Sequence, residues 1–547
     1  MKNSSFEKVF YCLAILLTLS VIYSPCLFIQ YIFHDEMLFL IKGSGKFPLH
    51  PHFYIEISIG RPVSALLLAV YGWFIHSAKD IMITRWICLV ELAGCAFFFM
   101  SLFQKFLLNK INSFLAALFI FTLPAFQVFM AWSGNVNWHT GMFLSTVSAM
   151  LLYKNALNNP DRTMKSFVNR YSLLSLFFLC LANTIYPASA TFYWAVLALI
   201  ILASSPDSRP RQKKIIIDFY AIGLTSLGLY AVMLKILNRI YPGGPGLYNP
   251  YHLSTDTLGK LNWFIREPLF NALNLHNIFP EKSMAMGLSV FLVVTLIVVV
   301  IQLKDKKKIS IWKAGGRGFL FLGVYLSLLI LSFLPNLLAV KNAAFYRCSS
   351  ALAAIVAVLF IWAVSQWMIF VPSKIKTITL TGILLILFFC GAQKAFFNIL
   401  DYRVIPTKVE FAYFKGILDN INLDRFSHIH LIRPEKSFVS ERYDEFGILT
   451  SNNLHALAFF LSCIAEESGG KLDFGRVDLT SQFIDKDKER YAGMPEPFFR
   501  VPFVHVFLKG QETQINVSVP VNIYHGESFV IDMPSFVASF KKNHRVD

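Results

Sequence analysis

An acidic pair stands directly after the first long apolar run of the chain. Asp35 and Glu36 follow the run from about Val9 to Phe33. Neighbouring residues point in different directions on a helix or a strand, so only one of the two carboxylates is expected to face a small site. Partial burial at the mouth of a membrane cavity would suit that carboxylate to act as a general base on a hydroxyl group. The alternative is that the acids cap a helix.

A basic residue ends the same loop, in the tripeptide Gly60-Arg61-Pro62. Pro62 suits the first turn of a helix over 62–76, because its missing N–H would have no partner there. Arg61 would then lie at a helix N-terminus, where free N–H groups, the helix dipole and a guanidinium together favour a phosphate. We therefore predict that Arg61 binds phosphate. The alternative is an arginine that anchors the helix among lipid headgroups.

The segment 132–139 carries no formal charge but has two tryptophans and two asparagines. Aromatic faces stack on sugar rings, and amide groups form hydrogen bonds with hydroxyl groups. We therefore predict that Asn135, Asn137, Trp138 and His139 bind a sugar or an acceptor. The alternative is an interfacial belt of tryptophans.

Two further basic residues, Lys341 and Arg347, flank a short loop that is expected on the outer side of the membrane. Positive charge is not favoured on that side, so these residues predict a partner such as a lipid phosphate. Arg347 is the better candidate because a guanidinium binds phosphate through two parallel hydrogen bonds.

The acidic pair after the first helix, the loop that ends in Gly-Arg-Pro and the apolar helix that follows resemble the polytopic GT-C glycosyltransferases. Within them, the chain is most similar to the bacteriophage-type O-antigen glucosyltransferases that modify lipopolysaccharide. The stretch 342–347 is similar to a Tyr-Arg element of that family and adds Tyr346 to the residues expected to bind sugar or acceptor. That family usually carries Asp-Asp where this chain has Asp35-Glu36, and its Tyr-Gln element corresponds to Tyr186-Pro187.

This resemblance implies an enzyme that moves a sugar from a polyprenyl-phosphate donor to a cell-surface glycan or lipid-linked acceptor. The transfer would take place on the periplasmic side of a bacterial inner membrane, with inversion at the anomeric carbon. Asp35 or Glu36 would deprotonate the acceptor, while Arg61 and Arg347 stabilise the departing phosphate. The scheme requires no cofactor, and no His or acidic cluster has metal-ligand spacing. The expected partners are the lipid-linked sugar, the acceptor and membrane lipids, without nucleic acid.

Long apolar runs must position these residues. Taking about 20 apolar residues as one crossing, the sequence predicts about eleven or twelve transmembrane segments. The runs lie near 9–33, 62–76, 86–104, 112–131, 141–153, 171–185, 187–204, 215–238, 283–303, 318–340, 349–372 and 377–399. The first is too long for a signal peptide and predicts a retained helix.

Basic clusters near Arg209–Lys214 and Lys304–Lys313 are expected in the cytoplasm. This orientation places the first outer loop, 34–61, outside if one early run does not span. We predict that the short 62–76 run is re-entrant or interfacial. An N-terminus outside the cell is the alternative, and it would make the 34–61 loop cytoplasmic.

The composition excludes most soluble proteins. Hydrophobic side chains make up 55% of the 547 residues and charged ones only 15%, with a net charge of +17. A soluble domain needs about 25% charged residues for its surface, so the basic balance here indicates membrane topology and not nucleic-acid binding. Of the eight cysteines only Cys463 lies outside the apolar part, and there is no disulfide framework or CxxC pair.

The predicted fold is thus a mostly α-helical, multi-pass integral membrane bundle over 1–400, GT-C-like, with a small α/β or α+β extracytoplasmic domain over 401–547. In the second region, His428–Ile432 and Val501–Leu508 have strand-like patterns and Asn453–Glu466 a helix-like one.

Two other functions fit parts of the pattern. A transporter or flippase for a lipid-linked or small anionic solute would explain Glu91, an ionisable residue inside an apolar run. A membrane scaffold would depend on the region after about residue 400 and not on the first-loop acids.

Overall fold

The computed structural model describes the helical part of the chain and, after it, five strands. The described residues are 3–33, 36, 53, 56–57, 59–75, 79–107, 109–132, 134, 136–158, 169–203, 209–240, 254–278, 283–307, 311–340, 342, 344–420, 428–432, 477–478, 499–508, 511–524 and 528–532.

Helices account for most of the described residues. The first ten are α1 Asn3–Ile22, α2 Ser24–Phe28, α3 Pro62–Gly72, α4 Ile81–Leu107, α5 Lys110–Phe121, α6 Pro124–Ala131, α7 Val136–Asn158, α8 Arg170–Ile185, α9 Pro187–Ala190 and α10 Phe192–Ala203. The others are α11 Arg209–Ile240, α12 Thr257–Phe264, α13 Phe270–Leu273, α14 Ser283–Lys307, α15 Ile311–Leu331, α16 Leu334–Leu338, α17 Ser350–Trp367, α18 Ser373–Ile399 and α19 Ile405–Asn420. Short 3-10 turns occupy Leu275–Asn277, Tyr346–Cys348 and Met368–Phe370, and π turns occupy Ile265–Leu269 and Leu400–Val404.

Several helices are long and apolar enough to cross a membrane. Among the described residues there are five by length and composition, or six if the bent pair α5 and α6 forms one span. Large apolar side chains such as Leu17 on α1, Val293 on α14 and Ile386 on α18 are more than half exposed. Apolar residues on the outside of a helical bundle are typical of a protein solvated by lipid. The protein is therefore a largely helical chain of membrane type.

The bend between α5 and α6 has a local cause. Pro124 opens α6 and the two helix axes differ by 64°. The carbonyl of Thr122 at the break accepts a hydrogen bond of 2.7 Å from Gln127, and Asn398 donates one of 2.8 Å to the Gln127 side chain. A backbone group freed at a proline break needs such a partner away from water.

The helical core is aromatic. Phe99, Phe121, Phe126 and Phe192 lie on four different helices, are fully buried, and their rings pack with centroids 4.9 to 6.0 Å apart. Nearly all of α10 and α17 is buried around this cluster. A rigid centre of this kind fixes the ends of the helices, where the polar residues lie.

One end of the helices is joined through lysine and asparagine side chains, and we call it the lysine end. There Lys110 at the start of α5 forms an ion pair with Glu7 of α1. Lys105 donates to the Tyr153 hydroxyl, and Asn169 donates to Asn155 across 2.8 Å. The end of α4, the starts of α1, α5 and α8 and the end of α7 therefore meet at one end of the bundle.

The short helix α3 has 11 residues, so it is about 16 Å long at 1.5 Å per residue. The hydrocarbon layer of a bilayer is about 30 Å thick. This helix is thus about half the length of a crossing. The re-entrant or interfacial arrangement predicted for 62–76 remains compatible with it.

Five strands follow the helical part: β1 His428–Ile432, β2 Val477–Asp478, β3 Phe499–Leu508, β4 Gln511–Tyr524 and β5 Ser528–Asp532. They form one mixed sheet in the order β2-β1-β5-β4-β3. The β1 strand runs parallel to both neighbours, whereas β3, β4 and β5 are joined antiparallel. Two of the strands lie where the sequence pattern is strand-like, and Asn453–Glu466 lies outside the described residues.

Candidate functional site

Glu36 of the first-loop acidic pair is locked in a buried ion pair. Its Oε2 accepts hydrogen bonds of 2.8 Å from Arg85 of α4 and of 2.8 Å from the Phe33 N–H. Both charged side chains are 0% exposed. A carboxylate that is paired and excluded from solvent is poorly placed to take a proton from a substrate. We therefore assign Glu36 to holding the first loop against α4.

Arg85 is satisfied on several sides. Besides Glu36, its guanidinium donates to the carbonyls of Cys26 (3.2 Å) and Tyr31 (2.9 Å) and lies 3.7 Å from the centroid of the Tyr31 ring. These contacts join α2, the segment after it and the first turn of α4. Charge-assisted bonds of this kind fix geometry as well as contributing energy.

Arg61 caps α3, as the sequence predicts, with Pro62 as the first helical residue. Gly60 has a positive φ of 78°, which glycine adopts without a steric penalty and which turns the chain into the helix. The Arg61 N–H donates to the carbonyl of Glu56, and the two charged groups are 3.7 Å apart. Glu56 is therefore a second carboxylate beside the predicted phosphate residue.

Hydrogen bonds connect Glu56 to α7. The Ser64 hydroxyl donates to Glu56 Oε2 across 2.7 Å, so its single hydrogen is used there. Asn137 must then present its NH2 group to Ser64, which it does. This leaves Asn137 Oδ1 buried without a hydrogen-bond partner among the described residues. A buried acceptor in that state marks a place where a ligand or water donor is expected.

Two arginines flank a stack of two aromatic rings. Trp138 and Tyr186 lie nearly parallel, with centroids 4.5 Å apart and an interplanar angle of 13°. Arg61 lies over Tyr186 at 4.7 Å, and Arg347 lies over Trp138 at 5.4 Å and over Trp132 at 4.9 Å. We call Arg61, Tyr186, Trp138, Trp132 and Arg347 the aromatic stack. Stacking of this kind holds guanidinium groups in place on the faces of aromatic rings.

Phe33 and Glu36 lie next to the aromatic stack. Phe33 contacts Trp132 edge to face, with centroids 5.4 Å apart. A Cβ atom on Gly134 would lie 3.1 Å from both the Cγ and the backbone N of Glu36. Arg403, in the turn after α18, lies 3.6 Å from the centroid of the Phe33 ring. We call this end of the helices, with Arg61, Arg85, Arg347 and Arg403, the arginine end.

Some of the remaining predicted residues lie within the described part of the chain and others outside it. His139 is buried in α7 against Phe129, with neither ring nitrogen bonded to another described residue. Tyr346 is buried and meets the edge of His276, with centroids 5.1 Å apart. Asp35, Asn135 and Lys341 lie outside the described residues, so their roles stay predictions.

Sequence reasoning missed four residues of the arginine end: Arg85, Glu56, Arg403 and His276. The sequence could have indicated Arg85, because an ionisable residue at the start of an apolar run is unusual. Glu91 is a second ionisable residue, within the same run. Glu91 itself accepts a hydrogen bond of 2.8 Å from Thr140. Glu56 and His276 are single polar residues in long loops and carry no such signal.

The arrangement offers fixed cations, aromatic faces and unpaired neutral polar atoms at one place. Such a site can bind a phosphate and an attached sugar ring. In the part of the chain that the structure describes, there is no group of three or more His, Cys, Asp or Glu residues placed to hold a metal ion. Comparison of the chain with protein-family models and with curated protein sequences finds no match.

Proposed function

We propose that this protein is a membrane glycosyltransferase that moves a sugar from a polyprenyl-phosphate donor to a cell-surface glycan or lipid-linked acceptor. The aromatic stack is the observation that carries the proposal. Its two arginines suit the donor phosphate, and its rings suit a sugar. Phe33 contacts Trp132 of the stack, and Glu36 lies close to Gly134, two residues further along the chain.

Asp35 is the base in this proposal, and Glu36 is not. Glu36 is already paired with Arg85 and excluded from solvent, so Asp35 is the acid of the pair left to act on the acceptor. In the proposed step, Asp35 takes the proton of an acceptor hydroxyl whose oxygen attacks the anomeric carbon. The bond to the phosphate oxygen breaks, and Arg61 and Arg347 stabilise the charge on the departing polyprenyl phosphate.

The proposed topology has eleven crossings. Starting from a cytoplasmic N-terminus, these are α1, α4, the bent pair α5 and α6, α7, α8, α9 with α10, α11, α14, α15, α17 and α18, while α3 stays at the outer face. The ion pair between the starts of α1 and α5 and the bond between the end of α4 and α7 support this alternation. The lysine end is then cytoplasmic by the positive-inside rule. The arginine end and a C-terminal domain that contains the sheet face the periplasm.

The test is sugar transfer by the purified full-length chain from a labelled polyprenyl-phosphate sugar. Removing a general base costs about 100- to 10,000-fold in rate, so Asp35→Asn should lose transfer by that factor. Glu267→Gln is the matched control, since Glu267 is an exposed acid of another loop. A variant as active as the wild type would contradict the assignment of Asp35.

A transporter for an anionic or lipid-linked solute is the second candidate, and Glu91 favours it. Glu91 lies within α4 and accepts a bond from Thr140, while its second oxygen has no partner among the described residues. A transporter needs Glu91 and tolerates Asp35→Asn; the transferase needs Asp35 and tolerates Glu91→Gln. Absence of transfer from a panel of donors, together with solute uptake into vesicles, would replace the transferase by the transporter.

A further inference from the structure

A strained turn lies beside the aromatic stack. Leu275 and His276 both have left-handed backbone conformations, with φ of 48° and 53°. Side chains with a Cβ atom rarely adopt this region, and two such residues in succession are rarer still. Strain of this kind persists where the surrounding structure enforces it, and it is concentrated at ligand sites. Here it directs the side chain of His276 into the protein.

His276 is buried without partners. Its side chain is 1% exposed, and neither ring nitrogen has a hydrogen-bond partner among the residues that the structure describes. Burial lowers its pKa from 6.5 to about 3, so the imidazole is neutral at physiological pH. A neutral imidazole has one donor and one acceptor, and both are left unused here. An apolar ring of the same shape would fill this space without that loss.

The position of His276 connects it to the phosphate residues. Its ring meets Tyr346 edge to face at 5.1 Å, and the next residue is Arg347, which lies over Trp138. Two other buried polar atoms around the stack, Asn137 Oδ1 and Trp138 Nε1, also have no described partner. These atoms are an acceptor and a donor, and both are uncharged. These unsatisfied groups near Arg61 and Arg347 are therefore neutral.

We propose that His276 binds a hydroxyl group of the sugar on the lipid-linked donor and selects an uncharged hexose. This proposal rests on the proposed function. A hydroxyl group is both a donor and an acceptor, so it can form a hydrogen bond with either the protonated or the unprotonated imidazole nitrogen. A phosphate or a uronic acid carboxylate offers acceptors only and would leave the unprotonated nitrogen unpaired. In this proposal the arginines bind the phosphate of the donor, and His276 binds its uncharged sugar.

The test compares two short-chain lipids, farnesyl phosphate and farnesyl-phosphoryl glucose, with the purified full-length protein. We expect the wild type to bind the glucose form at least 10-fold more tightly than the plain phosphate. His276→Phe keeps the ring shape but removes both nitrogens, so it should bind the two lipids equally. Its affinity for plain farnesyl phosphate should not change, and its Tm should be equal or higher. Should His276→Phe not fold, His276→Gly, which adopts the left-handed backbone without strain, replaces it.

Two results would overturn the inference alone. In the first, His276→Phe would still bind the glucose form more tightly than the plain phosphate. In the second, His276→Phe would lose affinity for both lipids and have a lower Tm, which would indicate a structural role for His276. His276→Asn tolerates the left-handed backbone and retains a donor and an acceptor, so it should recover part of the preference. Farnesyl-phosphoryl glucuronate keeps the ring hydroxyl groups but adds a carboxylate, so it should bind less tightly than the glucose form. A wild type that binds neither farnesyl lipid would instead reject the proposed function and this inference with it.

Discussion

Two neighbouring regions of the arginine end use the same residue types in opposite ways. In the Glu36–Arg85 pair both charges are fully buried, and the bonds reach 2.8 to 3.2 Å to a carboxylate and to backbone carbonyls. In the aromatic stack, Arg61 and Arg347 lie over rings, and Asn137 and Trp138 have polar atoms without described partners. Apart from Arg85 Nε, which has no described partner, the polar atoms of the first region are bonded, and we call it the saturated region. A saturated region holds the fold together, whereas an unsaturated one is prepared for a ligand.

The largest effect should come from breaking the saturated region. Arg85→Met leaves the Glu36 carboxylate buried without its cation, which costs about 3–5 kcal/mol of stability. Thermal unfolding of the purified protein in detergent measures the loss. The double variant Arg85→Met with Glu36→Gln removes both charges and should recover much of it. If Arg85→Met folded with an unchanged Tm, the pair would not be the anchor that the geometry indicates.

The contrast between these regions shows what the sequence could reveal. The sequence predicts the positions of the apolar helices because lipid requires long apolar stretches. It also predicts Arg61 at the start of α3, because proline favours the first helical turn. The partners of Glu36 were not readable, since Arg85 is 49 residues away and only tertiary packing joins them. Adjacency in sequence made Asp35 and Glu36 look equivalent, and the burial of Glu36 in an ion pair is visible only in the structure.

The same limit applies to His276 and to the number of crossings. Nothing local distinguishes His276 from an ordinary loop histidine, because its left-handed backbone and its burial both depend on distant residues. Short apolar helices such as α3 and α8 have 11 and 16 residues, and composition does not specify where such helices begin and end. Chemistry at a helix terminus is therefore predictable, and chemistry created by packing is not.

Removing a cation from the stack should slow sugar transfer and leave stability intact. Arg347→Gln should lower the transfer rate about 100-fold, comparable to losing one electrostatic donor in an active site. Arg347→Lys should recover only part, because an ammonium group cannot form the two parallel bonds of a guanidinium. Steady-state kinetics and Tm are measured together, with exposed Arg266→Gln as the matched control. If Arg347→Gln lowered Tm as much as Arg85→Met, Arg347 would stabilise the fold, and the two regions would not differ in role.

The neutral histidine of the unsaturated region should make stability depend on pH. Its folded pKa of about 3 lies below the ordinary 6.5, so the unfolded chain binds the proton more strongly. Stability from the neutral ring is complete above pH 6.5 and decreases as the pH falls towards 3. At pH 5 the loss should reach about 2 kcal/mol, taking 1.36 kcal/mol per pKa unit. Comparing the unfolding of the wild type and of His276→Phe at pH 7 and pH 5 isolates the contribution of His276 to the pH dependence of stability. An equal pH dependence of the two proteins would contradict the prediction.

The smallest effect is expected at Glu56, where the two kinds of region meet. Glu56 is largely buried and Arg61 is partly exposed, with side chains 12% and 21% accessible, and their charges are 3.7 Å apart. Because the two charges are not in close contact and Arg61 reaches solvent, we expect the pair to contribute only about 0.2–1 kcal/mol, so Glu56→Gln should lower Tm slightly and raise KM less than about 10-fold. Glutamine still accepts the bond from Ser64, so kcat should remain. Loss of the contact with Arg61 alone should weaken phosphate binding without removing a base. If kcat instead fell as far as in Asp35→Asn, Glu56 would act directly on the acceptor.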